Sequence, residues 1–412
     1  MKILIIVVLS ITLIGCISLR SNEPAQLAYP TSQNASPKSG EVFLVEPIRS
    51  YSHRFIRFLF WWQGFSDLKT ERGIALYRIG YWTTAVDGRI VKASGLIALP
   101  QGDTLIRGVI GWQHGTATLK SAAPSVPDPE NGLLAAAAFA GHGYLMIAPD
   151  YPGFGLSEEP HSYYHTASIV NSVVDCLRAT QVVIKHNQRH WPESLFLTGF
   201  SQGGHASLAT QRELELSPIE GLTVTATASV AGPVDLAGVS FPYAMKADAV
   251  LASLYIAWSA VTYARDYQQP IEALLKAPWS ETAAALFDGT NSGHEIAQAL
   301  PSKPRDMLTN ESLGAFDNNQ AHWFLEKIRE NSIVDQNQLV YGWVPQAPIQ
   351  MYYGETDLDV SAEDAHVMAQ VGKSVGADVE AISVGVVEHD PAIYLAAPLL
   401  RNWFDQLSLG KY

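Results

Sequence analysis

The chain has 412 residues, of which 47% are hydrophobic and 16% charged, a globular composition that can bury a large core beneath a sparsely charged surface. Its 27 Lys and Arg stand against 40 Asp and Glu, and the net charge of −13 argues against binding of a nucleic acid backbone by the protein as a whole. This length fits two or three ordinary domains or one core with insertions, and the order of the predicted elements must decide between these two possibilities.

The first fifteen residues predict an export signal. Lys2 supplies a positive start, residues 3–14 are an apolar run, and Leu13-Ile14-Gly15-Cys16 resembles the lipobox of bacterial lipoproteins. That resemblance implies cleavage before Cys16, a lipid on its thiol and amine, and a membrane-anchored protein of the cell envelope that faces outside the cytoplasm. The alternative is an uncleaved anchor, because the uncharged run extends to Leu19 and so reaches the lower limit of roughly 17 residues for a membrane span.

Residues 16–41 are rich in Ser, Pro, Asn and Gln and have no apolar period, so they are predicted to be a flexible tether ahead of one domain over residues 42–412. Cys176 is the only other cysteine, which leaves no intramolecular disulfide once Cys16 is modified. Because apolar residues recur at helical spacing on both sides of it, we interpret Cys176 as a packed small hydrophobe and not as a nucleophile.

The first part of the domain predicts a β-hairpin. Residues 76–86 and 89–99 are rich in strand formers and flank Asp87-Gly88, a pair that favours a type I′ turn. Short apolar strands then alternate with longer helices, and the predicted strands are residues 108–112, 145–148, 195–197, 224–230, 349–353 and 379–384. This alternation predicts an α/β fold with a mostly parallel sheet flanked by helices, and functional residues at the carboxyl ends of its strands.

A block at about residues 236–344 breaks the alternation, because it shows helical periods and no convincing strand. An all-helical insertion between two strands of one sheet predicts a cap over the strand ends. We expect this cap to form most of the wall that binds the substrate. Aromatic residues such as Tyr255 and Trp258 either line that wall or pack inside the cap.

Three residues at predicted strand ends carry candidate chemistry. Gly199-Phe200-Ser201-Gln202-Gly203 follows a strand at the spacing of a nucleophile elbow, with Ser201 as the nucleophile. A serine nucleophile needs a base and an acid that orients the base, and His389 and Asp357 follow the last two predicted strands. Asp359 is a rival for the acid because it lies on the same loop as Asp357.

The last helix is predicted to begin directly after His389. Asp390-Pro391 has the residue types of an N-cap and a first helical position. Pro398 is expected to break this helix.

Acyl transfer also requires amides that stabilise an oxyanion. We expect one from Gln202, directly after the nucleophile, and the other from Thr116, in the loop Gln113-His114-Gly115-Thr116 after a predicted strand. No metal or cofactor is expected at the site.

Four motifs resemble the α/β-hydrolase superfamily, and within it the secretory lipases and cap-bearing esterases. These motifs are Trp112-Gln113-His114-Gly115-Thr116, Ala148-Pro149-Asp150-Tyr151-Pro152-Gly153-Phe154-Gly155, Gly199-Phe200-Ser201-Gln202-Gly203 and Tyr353-Gly354-Glu355-Thr356-Asp357. The resemblance implies an α/β-hydrolase fold with an inserted helical cap, and hydrolysis of small-molecule or lipid esters through an acyl-enzyme on Ser201. The alternatives are a serine peptidase of the prolyl-peptidase type and a surface lipoprotein that binds a ligand without catalysis.

Overall fold

The fold is built on a twisted nine-stranded sheet. The computed structural model describes residues 23–30, 36–65, 68–102, 105–126, 132–246, 249, 251–318 and 321–409. The strands of the sheet are β1 (Val42–Tyr51), β2 (Ile74–Thr84), β3 (Ile90–Pro100), β4 (Val109–Gln113), β5 (Leu145–Pro149), β6 (Leu195–Phe200), β7 (Val224–Val230), β10 (Ile349–Tyr353) and β11 (Val379–Ser383). Their spatial order is β1-β2-β3-β5-β4-β6-β7-β10-β11.

Along this order the pairing of the strands changes once, from antiparallel to parallel. The pairs β1 with β2, β2 with β3 and β3 with β5 are antiparallel, and every later pair is parallel. The parallel part therefore brings the carboxyl ends of β4, β6, β7, β10 and β11 to one edge, which is where an open α/β sheet places its functional loops. This architecture confirms the predicted α/β-hydrolase fold.

The predicted hairpin is present as β2 and β3, but its turn is not of type I′. Gly88 has a φ of +83°, whereas Asp87 is absent from the residues with positive φ in the described part of the chain, and a type I′ turn needs both. The amide of Gly88 donates to the carbonyl of Ala85 at 3.0 Å, and the amide of Ala85 donates to the carbonyl of Arg89 at 2.9 Å. This is a three-residue loop that ends in a left-handed glycine, the next most common hairpin connection.

Helices cover both faces of the sheet. One face is covered by α3 (Thr166–His186), α4 (Gln202–Leu216) and α11 (Ala362–Ser374), and the other by α1 (His53–Gln63), α2 (Leu134–Phe139) and α12 (His389–Leu409). Helix α3 has the length and hydropathy of a membrane span, but 72% of its most apolar window is buried, as in a core helix. Cys176 lies on α3 with no exposure, and burial raises the pKa of its thiol, as expected for a packed hydrophobe.

Between β7 and β10 the chain forms a helical insertion, which we define as residues 236–344. Its helices are α5 (Phe241–Ala244), α6 (Ala252–Asp266), α7 (Trp279–Leu286), α8 (Gly293–Ala299), α9 (Asn310–Asn318) and α10 (Trp323–Glu330). It also contains a two-stranded ribbon, β8 (Val334–Asp335) with β9 (Gln338–Leu339), where the sequence shows no convincing strand. Two residues per strand give too short a period to be recognised in the sequence.

Two N-terminal features differ from the sequence-based picture. Within the stretch predicted to be a tether, Leu27 is buried in the core, and the side chain of Gln26 donates to the carbonyl of Val45 at 2.7 Å. Residues 42–63 form β1 and α1, for which the sequence analysis made no prediction. Helix α1 is capped by the Ser52 side chain at its start, and it ends at the left-handed Gly64.

Candidate active site

Ser201 occupies a strained turn between β6 and α4. Its φ of 55° and ψ of −121° are rare for a residue with a side chain, and its amide donates to the carbonyl of Val230 at 2.8 Å, which fixes the turn. Glycine is required on both sides: a Cβ on Gly199 would lie 2.6 Å from the carbonyl oxygen of Gln113, and one on Gly203 would collide with the same oxygen. The local geometry is that of a nucleophile elbow.

Asp357 lies on the loop after β10, where its carboxylate is buried and both of its oxygens have hydrogen-bond partners. The amides of Asp359 and Val360 each donate to Oδ1 at 2.9 Å, while Oδ2 lies 2.7 Å from Nδ1 of His389. The Tyr243 hydroxyl, from the helical insertion, donates to the Asp357 carbonyl at 2.7 Å. One carboxylate oxygen is therefore held by the loop and the other is aimed at the imidazole.

His389 is the first residue of α12, and it is buried against the ring of Phe200 at 4.6 Å between centroids. Burial alone lowers its pKa. The hydrogen bond and charge of Asp357, followed by the charges of Asp359 and Asp390, outweigh burial, so the pKa of His389 is raised above its ordinary value. Because Nδ1–H donates to a carboxylate, Nε2 is left as the free basic nitrogen.

Ser201 and His389 line the same cavity. Among the described residues no hydrogen bond joins the two side chains, and such contacts often tighten only when substrate is bound. The structure thus brings together the three residues that the sequence nominated as nucleophile, base and acid.

Asp359, the rival acid, lies close to the same histidine without taking that hydrogen bond. Within the described residues, Asp357, Asp359 and His389 form the one group that could hold a metal ion, with ligand atoms within 4.8 Å of one another. Two of those atoms already bond to each other as Nδ1–H and Oδ2, which is the arrangement of an acid–base pair. Burial, reinforced by the charge of Asp357, raises the pKa of Asp359, although His389 and Tyr255 lower it.

The loop after β4 lies against the elbow. A Cβ on Gly115 would be 3.2 Å from the carbonyl oxygen of Phe200 and 3.6 Å from Cβ of Ser201. The ring of His114 contacts the Gly115 carbonyl through Nδ1 at 2.7 Å. That carbonyl shares its planar peptide group with the amide of Thr116 and points the opposite way, so His114 fixes the direction of the Thr116 N–H. The Thr116 side chain is held in turn by the Tyr163 hydroxyl at 2.9 Å.

Gln202 places its backbone amide at the first position of α4, next to Ser201. Its side chain points away into the protein, where Nε2 donates to Nε2 of His161 at 3.1 Å. Burial lowers the pKa of His161 to about 3, which keeps the ring neutral, and its Nδ1–H donates to the Pro152 carbonyl at 2.9 Å. The predicted oxyanion donors thus lie on either side of the elbow, each held by a buried histidine.

The cavity beside Ser201 has a volume of about 470 Å³ and a mostly apolar lining. The helical insertion contributes Leu251, Leu254, Tyr255 and Gly293, which is only a minor part of the wall. Most of the apolar wall comes from the opposite side, namely Phe60, Phe65, Leu68, Leu134, Ala135, Ala138, Phe139, Ile393, Tyr394, Ala397 and Leu400. The expectation that the insertion forms most of the wall is wrong, because α1, α2 and α12 meet beneath the strand ends on the same face.

The two aromatic residues of α6 have different surroundings. Tyr255 lines this cavity and a smaller one of about 40 Å³ that also touches Ser201 and Asp359. Trp258 is buried between the rings of Tyr163 at 4.6 Å and Phe287 at 5.1 Å, and it lines neither of these two cavities. Tyr255 is therefore a wall residue, and Trp258 is core.

Several wall residues were not found from the sequence. Phe60 and Phe65 belong to the segment with no predicted element, and Ile393 and Tyr394 follow His389 on a helix that the sequence placed one residue later. The spacing of Ile56 and Phe60, one helical turn apart after the capping Ser52, is the signal that could have located α1. The predicted lipidation site Cys16 lies outside the described residues.

Comparison with solved structures shows the same fold. A protein of Legionella pneumophila subsp. pneumophila str. Philadelphia 1 described as a hydrolase superposes with a TM-score of 0.82 and 22% identity over 89% of this chain and 98% of its own. The rice cell wall degrading esterase LipA of Xanthomonas oryzae gives a TM-score of 0.75 and 23% identity over 90% and 97%. Candida antarctica lipase A in its closed state gives 0.66 and 15% over 90% and 83%.

Sequence comparison gives the family. No curated protein sequence matches the chain. The family model described as serine aminopeptidase, S33, matches residues 133–382, which contain Ser201 and Asp357 and make up more than half of the chain. The protein therefore belongs to the serine aminopeptidase S33 family, and it is a serine hydrolase of the α/β type.

Proposed function

We propose that the protein is an esterase that hydrolyses carboxylic esters with an apolar acyl group through an acyl-enzyme on Ser201. The observation that carries this proposal is the large apolar cavity lined by Ser201 and by His389, which is hydrogen-bonded to Asp357. An apolar cavity with a few convergent polar groups is the usual form of a site for a hydrophobic small molecule. The esterase and lipase folds noted above agree with this proposal.

In this reaction the Ser201 oxygen bonds to the ester carbonyl carbon while Nε2 of His389 takes its proton. The carbonyl oxygen becomes an oxyanion beside the amides of Gln202 and Thr116. The bond to the alcohol oxygen then breaks as His389 returns the proton to it. A water molecule repeats the two steps on the acyl-enzyme and releases the carboxylic acid, and Asp357 holds the imidazole in the productive tautomer throughout.

A second candidate is hydrolysis of an aminoacyl amide, favoured by the family description and by Asp359. Asp359 lines the smaller cavity next to Ser201, and apart from the Tyr255 hydroxyl, which stabilises its charge, its buried Oδ1 has no close hydrogen-bond partner among the described residues. A buried, unpaired carboxylate oxygen is costly, and a protonated amine of a substrate would satisfy it. The cavity of about 40 Å³ has room for a small group such as an ammonium.

The two candidates are separated by comparing p-nitrophenyl esters with aminoacyl-p-nitroanilides, including the prolyl compound. Ester turnover without anilide turnover supports the esterase, and the reverse result supports the peptidase. Labelling by a fluorophosphonate should occur in the wild type and disappear in Ser201→Ala. A wild type that takes no label would instead favour the binding protein without catalysis.

We also propose that Cys16 carries a lipid and anchors the enzyme to a membrane of the cell envelope. The support is the lipobox-like sequence Leu13-Ile14-Gly15-Cys16 after an apolar run. Cys16→Ser should block processing or release the protein from membranes. Intact-mass measurement of the mature protein gives the test, since an unmodified terminus downstream of Cys16 would disprove the anchor.

A further inference from the structure

The exposed face of α1 carries aromatic and basic side chains together. Trp61 is 69% exposed, Trp62 45% and Phe58 41%, and their ring centroids lie 5.9 to 6.5 Å apart. Arg57 and Arg54 are exposed one and two helical turns before Trp61 on the same face, and the helix contains no Asp or Glu. We call these five residues the α1 surface. Contiguous exposed aromatic side chains of this kind mark an interaction site.

The α1 surface is held rigidly by the opposite face of the helix. Ile56 and Phe60 are buried in the core beneath the sheet. The side chain of His53 contacts the Thr70 carbonyl at 2.8 Å. The helix therefore cannot rotate to bury its tryptophans without removing Ile56 and Phe60 from the core, which would expose two large apolar side chains.

The helix that carries this surface also contributes to the wall of the cavity. Phe60, on the buried side of α1, lines the cavity, and so does Phe65, directly after the helix. Phe65 stacks on Tyr394 of α12 at 5.0 Å between centroids, and Tyr394 lines the cavity while it is 48% exposed. The cavity residues Phe60 and Phe65 thus belong to α1 or directly follow it, so a membrane that contacts this helix lies near the cavity.

We propose that the α1 surface docks onto an anionic phospholipid bilayer and turns the cavity towards it. Tryptophan and phenylalanine next to arginine, on a helix without acidic residues, are typical of a helix that lies in a membrane interface. Arg54 and Arg57 form no ion pair with another described residue, and on a protein whose net charge is −13 two such exposed arginines favour lipid headgroups that are anionic. This surface acts independently of Cys16, and it does not depend on which bond the enzyme cleaves.

The test measures binding of the full chain to vesicles of phosphatidylcholine with and without phosphatidylglycerol. Every arm carries Cys16→Ser, which removes the lipid, and binding is compared as the difference between arms, because residues 1–22 with their apolar run are identical in all arms and contribute equally. Sedimentation gives the bound fraction. The wild-type emission spectrum minus that of Trp61→Ser/Trp62→Ser reports those two tryptophans alone, and it should shift to the blue when anionic vesicles are added.

Arg54→Gln/Arg57→Gln should weaken binding to anionic vesicles by about fivefold per arginine, and added salt should reduce this difference. Trp61→Ser/Trp62→Ser should weaken binding by on the order of tenfold or more. Two matched controls on the opposite face of the sheet, Leu216→Ser and Lys185→Gln/Arg189→Gln, should bind as the wild type does. Turnover of a soluble short-chain ester should be unchanged in all of these variants, which separates a failed surface from a failed enzyme.

Equal vesicle binding by the wild type and both α1 variants would overturn the proposal. So would a difference spectrum that is already blue-shifted before vesicles are added, because the tryptophans would then be covered by the chain itself. A change from dimer to monomer in Trp61→Ser/Trp62→Ser by analytical ultracentrifugation, without any loss of vesicle binding, would assign the surface to a second copy of the chain instead.

Discussion

Replacing Asp357 by Asn is the sharpest test of the acid. The asparagine oxygen can keep the two amide hydrogen bonds that Oδ1 now accepts, so its NH2 group must take the place of Oδ2, 2.7 Å from Nδ1 of His389. An NH2 donor there forces the imidazole proton onto Nε2, the nitrogen that must accept the proton of Ser201. In the serine protease triad, the same change lowers kcat by a factor on the order of 10,000, which corresponds to about 5 kcal/mol.

Asp359→Asn is the matched control, because it removes a nearby charge without touching that hydrogen bond. We expect it to cost less than about tenfold in kcat, against a factor on the order of 1,000 to 10,000 for Asp357→Asn. It should also move the pH profile. Activity appears as His389 loses its proton, and the charge of Asp359 contributes to the raised pKa of His389, so the acidic limb of kcat/KM should shift to lower pH in Asp359→Asn.

The assay is kcat and kcat/KM for one p-nitrophenyl ester from pH 5 to 9, with circular dichroism to confirm folding of each variant. A larger loss in Asp359→Asn than in Asp357→Asn would make Asp359 the acid. If the acidic limb of the pH profile does not shift in Asp359→Asn, the charge of Asp359 is screened from His389 by solvent. That result would contradict a contribution of Asp359 to the raised pKa of His389.

Three further outcomes can be measured with the same methods. Tyr255→Ala should change the preferred acyl length in a series of p-nitrophenyl esters, whereas Trp258→Ala should leave it unchanged and lower the free energy of unfolding by about 3 to 5 kcal/mol. His114→Ala should lower kcat on the order of tenfold to a hundredfold with little change in KM, because it frees the Gly115 carbonyl and misdirects the Thr116 amide; an effect confined to KM would contradict this. Burial raises the pKa of Asp364, on α11, to about 7. The neutral carboxyl therefore contributes fully to stability below pH 4, and this contribution is lost as the pH rises through about 7. The free energy of unfolding, measured with urea, should therefore be compared between Asp364→Asn and the wild type at two pH values. The variant should gain up to about 4 kcal/mol relative to the wild type when the pH is raised from 4 to 8, because one pKa unit corresponds to about 1.36 kcal/mol.

The elbow was predictable because its geometry is dictated locally. A side chain at Gly199 or Gly203 would collide with backbone from β4 or α4, so only a Gly-x-Ser-x-Gly sequence can make this turn, and the motif is visible without the structure. The positions of Asp357 and His389 were predictable for a related reason. Each lies beyond the carboxyl end of a parallel strand, Asp357 after β10 and His389 after β11, and parallel strands that are neighbours in one sheet bring their carboxyl ends together.

The sequence could not decide which of the two carboxylates is the acid. That depends on how the backbone turns between Asp357 and Val360. The chain turns so that the amides of Asp359 and Val360 donate to Asp357, and among the described residues it is Asp357, and not Asp359, that is hydrogen-bonded to His389. The same limit applies to the last helix. It begins at His389, one residue before the predicted cap Asp390, and it continues through Pro398 instead of breaking there. Burial of its apolar face against the sheet outweighs the lost amide.

The cavity wall was the least predictable part, because three helices far apart in the sequence build it. This arrangement gives a final prediction about substrate length. Ala397 of α12 lines the cavity, and a phenylalanine at this position would occupy part of its length. If room for two or three methylenes is lost, kcat/KM for a long-chain ester should fall by about 2 kcal/mol, roughly thirtyfold, at about 0.8 kcal/mol per methylene.

An acetate or butyrate ester does not reach that part of the wall, so its kcat/KM in Ala397→Phe should stay within about twofold of the wild-type value. Leu399→Phe is the matched control, because it adds an aromatic ring to the exposed side of the same helix, where Leu399 is 46% exposed. It should leave the whole ester series unchanged. Equal losses for short and long esters in Ala397→Phe, or the same chain-length effect in Leu399→Phe, would mean that the acyl chain does not lie between α1, α2 and α12. The acyl group would then have to bind under the helical insertion, as the sequence alone had suggested.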